Sequence, residues 1–227
     1  MAVDDAGIRS FPVSDPAIDR KLLLVLLGGP GAGKGTQAEL LQSRMGLVHL
    51  SSGDLFRALE SRSDRLARLI KEKLSAGDLV PDELTTQLIT AEVERLCAIG
   101  PGVVIDGFPR TSVQAKLFDD WLSSVGGRIA AVVHLKVDNA VKVNRSLHRG
   151  RSDDRPEIID HRIAVYDAAT RPVFDHYLEQ GLIFDVDGDR PVDAIGADID
   201  ALIAARSQGC DPLAAPAGGV GSSVRCR

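Results

Sequence analysis

Short aliphatic runs, separated by amphipathic stretches, dominate residues 22–205. Five of them read as strands: Leu22–Leu27, Leu47–Leu50, Val103–Ile105, Ala130–Val137 and Leu182–Val186. Their nearly uninterrupted apolar character is that of parallel strands covered on both faces. Between them, apolar residues at helical spacing predict helices over Gly35–Met45, Asp64–Ala76, Asp82–Cys97, Val113–Ser124, Ala140–His148, Glu157–Gln180 and Val192–Ala205. Pro172 falls inside the sixth of these and is expected to kink or divide it. No internal repeat is visible. The alternation predicts a doubly wound α/β fold, in which ligands meet the loops that follow the strands. Those loops are "GGPGAGKGT", "SSGDLFR" and "DGFPRT", each with a glycine, a hydroxyl or a charge.

Composition narrows the function classes. A chain of 227 residues, 44% hydrophobic and 26% charged, suits one soluble α/β domain with a substantial core. A net charge of −5 and a pI near 5.5 argue against a general affinity for nucleic acid. A polyanionic ligand must then be met by a local arginine cluster. Cys97, Cys210 and Cys226 form no C-x-x-C pair, which points away from a disulfide framework or a zinc site and suits a reducing cytoplasm. The run "LLLVLL" is too short to span a bilayer. Residues 1–20 carry Asp4, Asp5, Asp15 and Asp19 without an apolar segment, unlike a secretory or transit peptide, and read as a flexible extension. Residues 207–227, rich in Gly, Ala, Pro and Ser without a period, read as a disordered tail. Cys226 stands second from the end, which is not a prenylation box.

The first loop has the spacing of a phosphate-binding loop, G-x-x-x-x-G-K-[ST], from Gly28 to Lys34. Backbone N–H groups and a helix N-terminus converge there, and Lys34 supplies a mobile charge, which favours a phosphate site over the alternative of a tight turn without ligand. One letter departs from the pattern: Gly35 stands where a hydroxyl ordinarily grips Mg²⁺. "VVIDGFPR" ends an apolar strand on Asp106, which either holds Mg²⁺ through water or merely caps the turn. Arg110 offers a planar fork to a phosphate. Arg145, Arg149, Arg151 and Arg162 cluster with Asp153 and Asp154. Such a run is either a solvated helix face or a clamp for a phosphoryl group in transfer, and the phosphate loop favours the clamp. The two aspartates would then hold guanidinium groups in place. His49, His134, His148, His161 and His176 lie outside the three loops and read as core, surface or helix-end residues; Trp121 reads as packing. The lack of an evident general base fits an acceptor that is already an anion.

Together "GGPGAGKGTQ", "LSSGDLFR", "AGDLVPDELT", "DGFPRT" and "RGRSDD", the last followed by "VYDAATRPVFDHY", make the chain resemble the adenylate kinase family, in its bacterial-type short-lid form. The resemblance implies a P-loop NTPase-like three-layer α/β/α fold with a five-stranded parallel sheet. It also implies a kinase domain over 21–206, with a helical NMP-binding lobe at about 51–82 and a short lid at about 148–154. The implied reaction is MgATP + AMP ⇌ 2 ADP, in a cytoplasmic monomer with no nucleic-acid or membrane partner. For the donor it implies Gly29, Gly31, Ala32, Gly33, Lys34, Gly35, Thr36, Arg145, Arg149 and Arg190. For AMP it implies Ser52, Arg57, Leu79, Val80, Gly107, Arg110, Gln114, Arg151 and Arg162. Lys34, Arg110, Arg149, Arg151 and Arg162 would carry the chemistry, Asp153 and Asp154 would orient lid arginines, and Asp106 would anchor Mg²⁺ through water. Only three residues separate Arg149 from Asp153, and the lid lacks a Cys quartet, so no zinc is expected. Ser52 replaces the usual Thr, whereas the related UMP/CMP kinases tend to have Ala there and Asn at the position of Gln114. A UMP/CMP kinase is therefore the rival within the same chemistry. A nucleotide-binding switch is the rival outside it, although no N-K-x-D motif is present and the arginines are excessive for a switch. An inactive scaffold is disfavoured because the charged positions are intact.

Overall fold

The structure, a computed structural model, describes Ile18, residues 21–150 and residues 155–207. Arg151, Asp153 and Asp154 lie outside the described residues, as do most of the expected N-terminal extension and nearly all of the C-terminal tail. Five strands form one sheet: β1 (Leu22–Leu27), β2 (Val48–Ser51), β3 (Gly102–Asp106), β4 (Ala131–Lys136) and β5 (Ile183–Asp187). Their order is β2-β3-β1-β4-β5, and every pairing is parallel. Among the described residues eight helices accompany them: α1 (Lys34–Met45), α2 (Ser52–Glu60), α3 (Arg65–Ala76), α4 (Asp82–Ile99), α5 (Ser112–Ser124), α6 (Asn139–Arg149), α7 (Pro156–Glu179) and α8 (Val192–Ser207). This is a P-loop NTPase-like α/β arrangement.

Period-two geometry explains why β1 is apolar throughout. Leu23, Val25 and Leu27 join Ile89 and Val93 of α4, Phe118 of α5, and Val173 and Tyr177 of α7 in one core. Leu24 and Leu26 face the other way, toward Ala38 and Leu41 of α1 and Ile195 and Ile199 of α8. Two hydrophobic layers thus clamp the sheet, each fully buried aliphatic side chain contributing about 1.5–3 kcal/mol. Ile18, within the stretch expected to be a flexible extension, is buried in the first core. A third, much smaller core of Phe56, Ile70 and Val80 holds α2 and α3 together, with Leu59, Leu66 and Leu74 around it.

Two local features differ from the sequence expectation. "SSGDLFR" is not a loop: it opens α2, whose first turn is capped by Ser51 Oγ accepting from the Asp54 N–H at 3.2 Å. Gly53 and the brevity of the run obscured a helix that packing on α3 stabilises. Pro172 does not divide α7, which continues from Pro156 to Glu179 as a single element. Thr170, Val173 and Tyr177 bury its face on both sides of the proline, which offsets one missing backbone hydrogen bond.

The loop between β1 and α1 lies under α6. Gly31 and Gly33 are left-handed, with φ of +79° and +91°. A Cβ on Gly31 would stand 2.2 Å from the Lys142 carbonyl oxygen, whereas one on Gly33 would meet nothing within 4 Å. Gly33→Ala should therefore cost about 1–2 kcal/mol in backbone conformation alone. Gly31→Ala should cost clearly more, because α6 must also move. Urea unfolding of the two variants checks this, and equal losses would contradict the close contact.

Candidate active site

Parallel pairing ends β1, β2 and β3 at one edge of the sheet. Leu26 pairs with Asp106, and Ser51 pairs with the same residue from the other side. The loops that follow β1 and β3, with the start of α2, face a cavity of about 730 Å³, within the range of small-molecule sites.

On its floor, α1 begins at Gly33 without a side-chain cap and without an acidic residue in its first turn. Its first N–H groups and positive dipole end therefore remain available to an anion. Lys34 Nζ donates to the carbonyl oxygens of Gly28 (2.7 Å) and Gly29 (3.0 Å) and stands 3.9 Å from Asp106 Oδ1. Burial alone would raise the Asp106 pKa. The Lys34 charge, the His49 imidazole and Arg110 outweigh it and hold this carboxyl below the ordinary value of 3.8. Asp106 is thus an ionised oxygen donor facing the loop.

Three guanidinium groups share one wall. Arg110 faces the cavity, and its Nε donates to the Gly107 carbonyl at 2.7 Å. Loss of surrounding water pushes its pKa down; Asp106 opposes that shift, and the like charges of Arg162 and Arg57 add to it. Like charges held this close are relieved by an incoming anion. Gly107, with φ +78°, permits the approach: a Cβ there would lie 2.6 Å from Ser52 Oγ and 3.0 Å from Arg110 Nη2. Ser52 Oγ in turn donates to the Gly107 carbonyl at 2.8 Å, joining α2 to the loop after β3. Another set of cations is held from the β5 side, at the same strand ends. Arg145 donates to the Gly188 carbonyl at 3.0 Å, and Arg190 is fixed by Asp198.

Most of the expected site residues line this one cavity: Gly31, Ala32, Gly33, Lys34, Gly35, Thr36, Arg145, Arg149 and Arg190, with Arg57, Leu79, Asp106, Gly107, Arg110 and Arg162. Gly29, Ser52, Val80 and Gln114 do not line it. Ser52, Val80 and Gln114 form the layer directly behind the wall, at 1%, 4% and 2% exposure. Gly29 lies beneath, where a Cβ would stand 3.0 Å from the Lys142 side chain.

A family model described as "Adenylate kinase" matches residues 26–182. The chain is 38% identical over 180 residues to "Adenylate kinase" of Leuconostoc mesenteroides, covering 79% of this chain and 96% of the relative. It is 41% identical over 184 residues to "Adenylate kinase" of Synechococcus sp. strain CC9311, with 81% and 100% covered. With "Adenylate kinase" of Nocardia farcinica the identity is 43% over 172 residues, with 76% and 93% covered. The chain belongs to the adenylate kinase family.

Membership makes it an adenylate kinase-type phosphotransferase. An adenylate kinase must hold anionic phosphates close to one another, and the convergent arginines, Lys34 and the uncapped helix end are groups suited to that. Sequence reading passed over two neighbours of these groups. His49 puts Nε2 3.8 Å from Asp106 Oδ2, too far for a direct hydrogen bond, and that nitrogen is buried with no hydrogen-bond partner. Tyr166 lines the cavity, and burial raises its hydroxyl pKa to about 12. Position in the β2 register would have flagged His49, two residues before the strand end beside Asp106; nothing local flags Tyr166. The other histidines are engaged elsewhere, His134 with Asp185, His148 with the Asn144 carbonyl, His161 with Asp78 and His176 with Asp119. No described helix is long and apolar enough to cross a membrane.

The direction of the Asp106 shift sets a pH dependence. Because its folded pKa is depressed, the stabilisation from its ion pair is fully present above about pH 3.8 and is lost as pH falls through the lower, folded value. The difference in unfolding free energy between wild type and Asp106→Asn should stay flat from about pH 5 to 8 and shrink only below about pH 4. A difference that titrates near neutrality would remove Asp106 from this role.

Proposed function

We propose that the chain transfers the terminal phosphoryl group of MgATP to AMP in a cytoplasmic monomer. The observation that carries this reading is the single cavity shared by an uncapped phosphate loop and the converging Arg57, Arg110 and Arg162. Gly31 to Thr36 hold the donor phosphates through backbone N–H groups. Lys34 leaves its loop carbonyls to meet the β- and γ-phosphates. Arg145 and Arg190 flank the donor nucleotide. Arg57 and Arg110 hold the acceptor phosphate; Leu79 lines the wall, and Gln114, directly behind it, faces the acceptor base.

An acceptor phosphate oxygen attacks the γ-phosphorus as the bond to the β–γ bridging oxygen breaks. The acceptor monoester has a second pKa near 6, so at neutral pH it is already nucleophilic and no protein base is needed. Catalysis then rests on alignment and on meeting the charge of the transferring group. Arg110, Arg149 and Arg162 meet that charge, together with Arg151, which lies outside the described residues.

Mg²⁺ suits the groups present. Asp106 offers one ionised carboxylate, and among the described residues no cluster of three or more His, Cys, Asp or Glu could hold a metal ion. One carboxylate acting through water, with substrate phosphates as the remaining ligands, matches an ion that keeps most of its waters. When bound, Mg²⁺ neutralises and orients the phosphates. This arrangement also accounts for Gly35, since the ion needs no hydroxyl from the loop.

The deciding experiment is a panel of AMP, UMP and CMP acceptors with MgATP; a clear preference for UMP or CMP would overturn the reading. Lys34→Met should lower kcat by about 10²–10³-fold with the fold retained, as expected for a lost charge contact in the transition state. Unaltered turnover would refute the role of Lys34. Arg110→Lys should raise KM for AMP well above the effect of a surface Arg→Lys change, because the two-pronged fork is lost.

A further inference from the structure

Gln114 is the buried amide at the third position of α5, and its environment determines more than its presence. Its backbone N–H donates to the Thr111 hydroxyl at 3.1 Å, so the start of α5 is capped without help from the Gln114 side chain. The side chain is instead gripped at both ends. Its Oε1 accepts from the Arg110 N–H at 2.8 Å, and its Nε2 donates to Asp82 Oδ1 at 2.9 Å. Asp82 is the first residue of α4, three after Leu79 of the cavity wall and 32 before Gln114.

The chemistry of these two partners removes the usual ambiguity of an amide. A backbone N–H can only donate, and a carboxylate can only accept. Turning the amide over would set Oε1 against a carboxylate and Nε2 against an N–H, losing both bonds and replacing them with repulsions. Those two bonds leave the second N–H and the second lone pair of Gln114 in a fixed order. A 6-aminopurine presents a donor at N6 beside an acceptor at N1. A 6-oxopurine presents the reverse, an acceptor at O6 beside a donor at N1.

We propose that Asp82 is a positioning residue for base choice: by locking the amide of Gln114 it favours a 6-aminopurine acceptor over a 6-oxopurine. The proposal rests on the reading of Gln114 as the residue facing the acceptor base. Polar groups in a fixed order reject a mismatched base because the site's own buried groups are then left unpaired. Freed from Asp82, the amide can turn to suit either base. The Arg110 N–H continues to favour the original orientation, so the release is partial.

Asp82→Asn tests this with little change of shape. Asn can accept from Nε2 or donate to Oε1, so it keeps a partner for Gln114 while abolishing the acceptor-only constraint. With MgATP, kcat/KM is measured for AMP and for IMP in the same preparation, with IMP also assayed as a competitive inhibitor against AMP. The AMP-to-IMP ratio does not depend on the fraction of protein folded. In Asp82→Asn it should fall about ten-fold, the equivalent of one misdirected hydrogen bond, through KM for the monophosphate and with KM for ATP unchanged. Gln114→Ala is the control and should collapse the ratio further. A wild-type ratio in Asp82→Asn together with a collapsed ratio in Gln114→Ala would overturn the role of Asp82 and leave the reading of Gln114 standing. Equal losses for AMP and IMP in Asp82→Asn would mean a merely structural tie and would also overturn it. An unchanged ratio in Gln114→Ala would overturn the reading of Gln114, and the proposal with it.

Discussion

The pairing of β1 with β3, with Leu26 opposite Asp106, is the contact on which the site depends. In a parallel sheet the strands end together, so a loop that follows one strand emerges beside the loop that follows the next. That places Lys34, at the far end of the loop after β1, beside Asp106, and β2 brings His49 to the same carboxylate. A slip of one residue would turn Asp106 to the other face of the sheet, into a hydrophobic layer. The two apolar cores resist such a slip, because Val103 and Ile105 are buried on one face and Val104 on the other. Hydrophobic packing thus sets the electrostatics.

Those electrostatics are unbalanced toward positive charge. Several cationic side chains around the cavity are held by backbone carbonyls, others by carboxylates. Arg110 rests on Gly107, Arg145 on Gly188, Lys34 on Gly28 and Gly29, and Arg57 on Asp54. A carbonyl partner, such as Gly107 for Arg110, orients a guanidinium without neutralising it, so that charge remains available to an incoming phosphate. The repulsion among Arg57, Arg110 and Arg162 is a cost in the empty protein that an anion removes. Such preorganisation is how a transferring phosphoryl group can be stabilised without rearrangement at the moment of reaction.

Away from the sheet, stability thins. The core of α2 and α3 has three buried apolar residues, against the many that clamp the sheet. Polar ties therefore matter more at that edge: Ser52 to the Gly107 carbonyl, His161 to Asp78, and Gln114 to Asp82. Segments with few apolar contacts open at low free energy, as the proposed acceptor-binding lobe at this edge requires.

Residue order by itself determined the strands, most of the helices, the glycine-rich loop after β1 and the place of Asp106 at the end of β3, because continuous apolar runs and glycine spacing are local signals of the backbone. It missed α2, whose nine residues gain their helical stability from packing on α3 rather than from propensity. It left open whether Pro172 divides α7; burial of Thr170, Val173 and Tyr177 carries the helix past one absent hydrogen bond. Tertiary structure alone decided which charges share a cavity and which amide is locked by which carboxylate. Asp82 and Gln114 are 32 residues apart, and His49 and Asp106 lie on different strands. Those relations arise from how helices and strands are laid side by side, and no local pattern of hydrophobic and polar positions encodes the distance between two side chains.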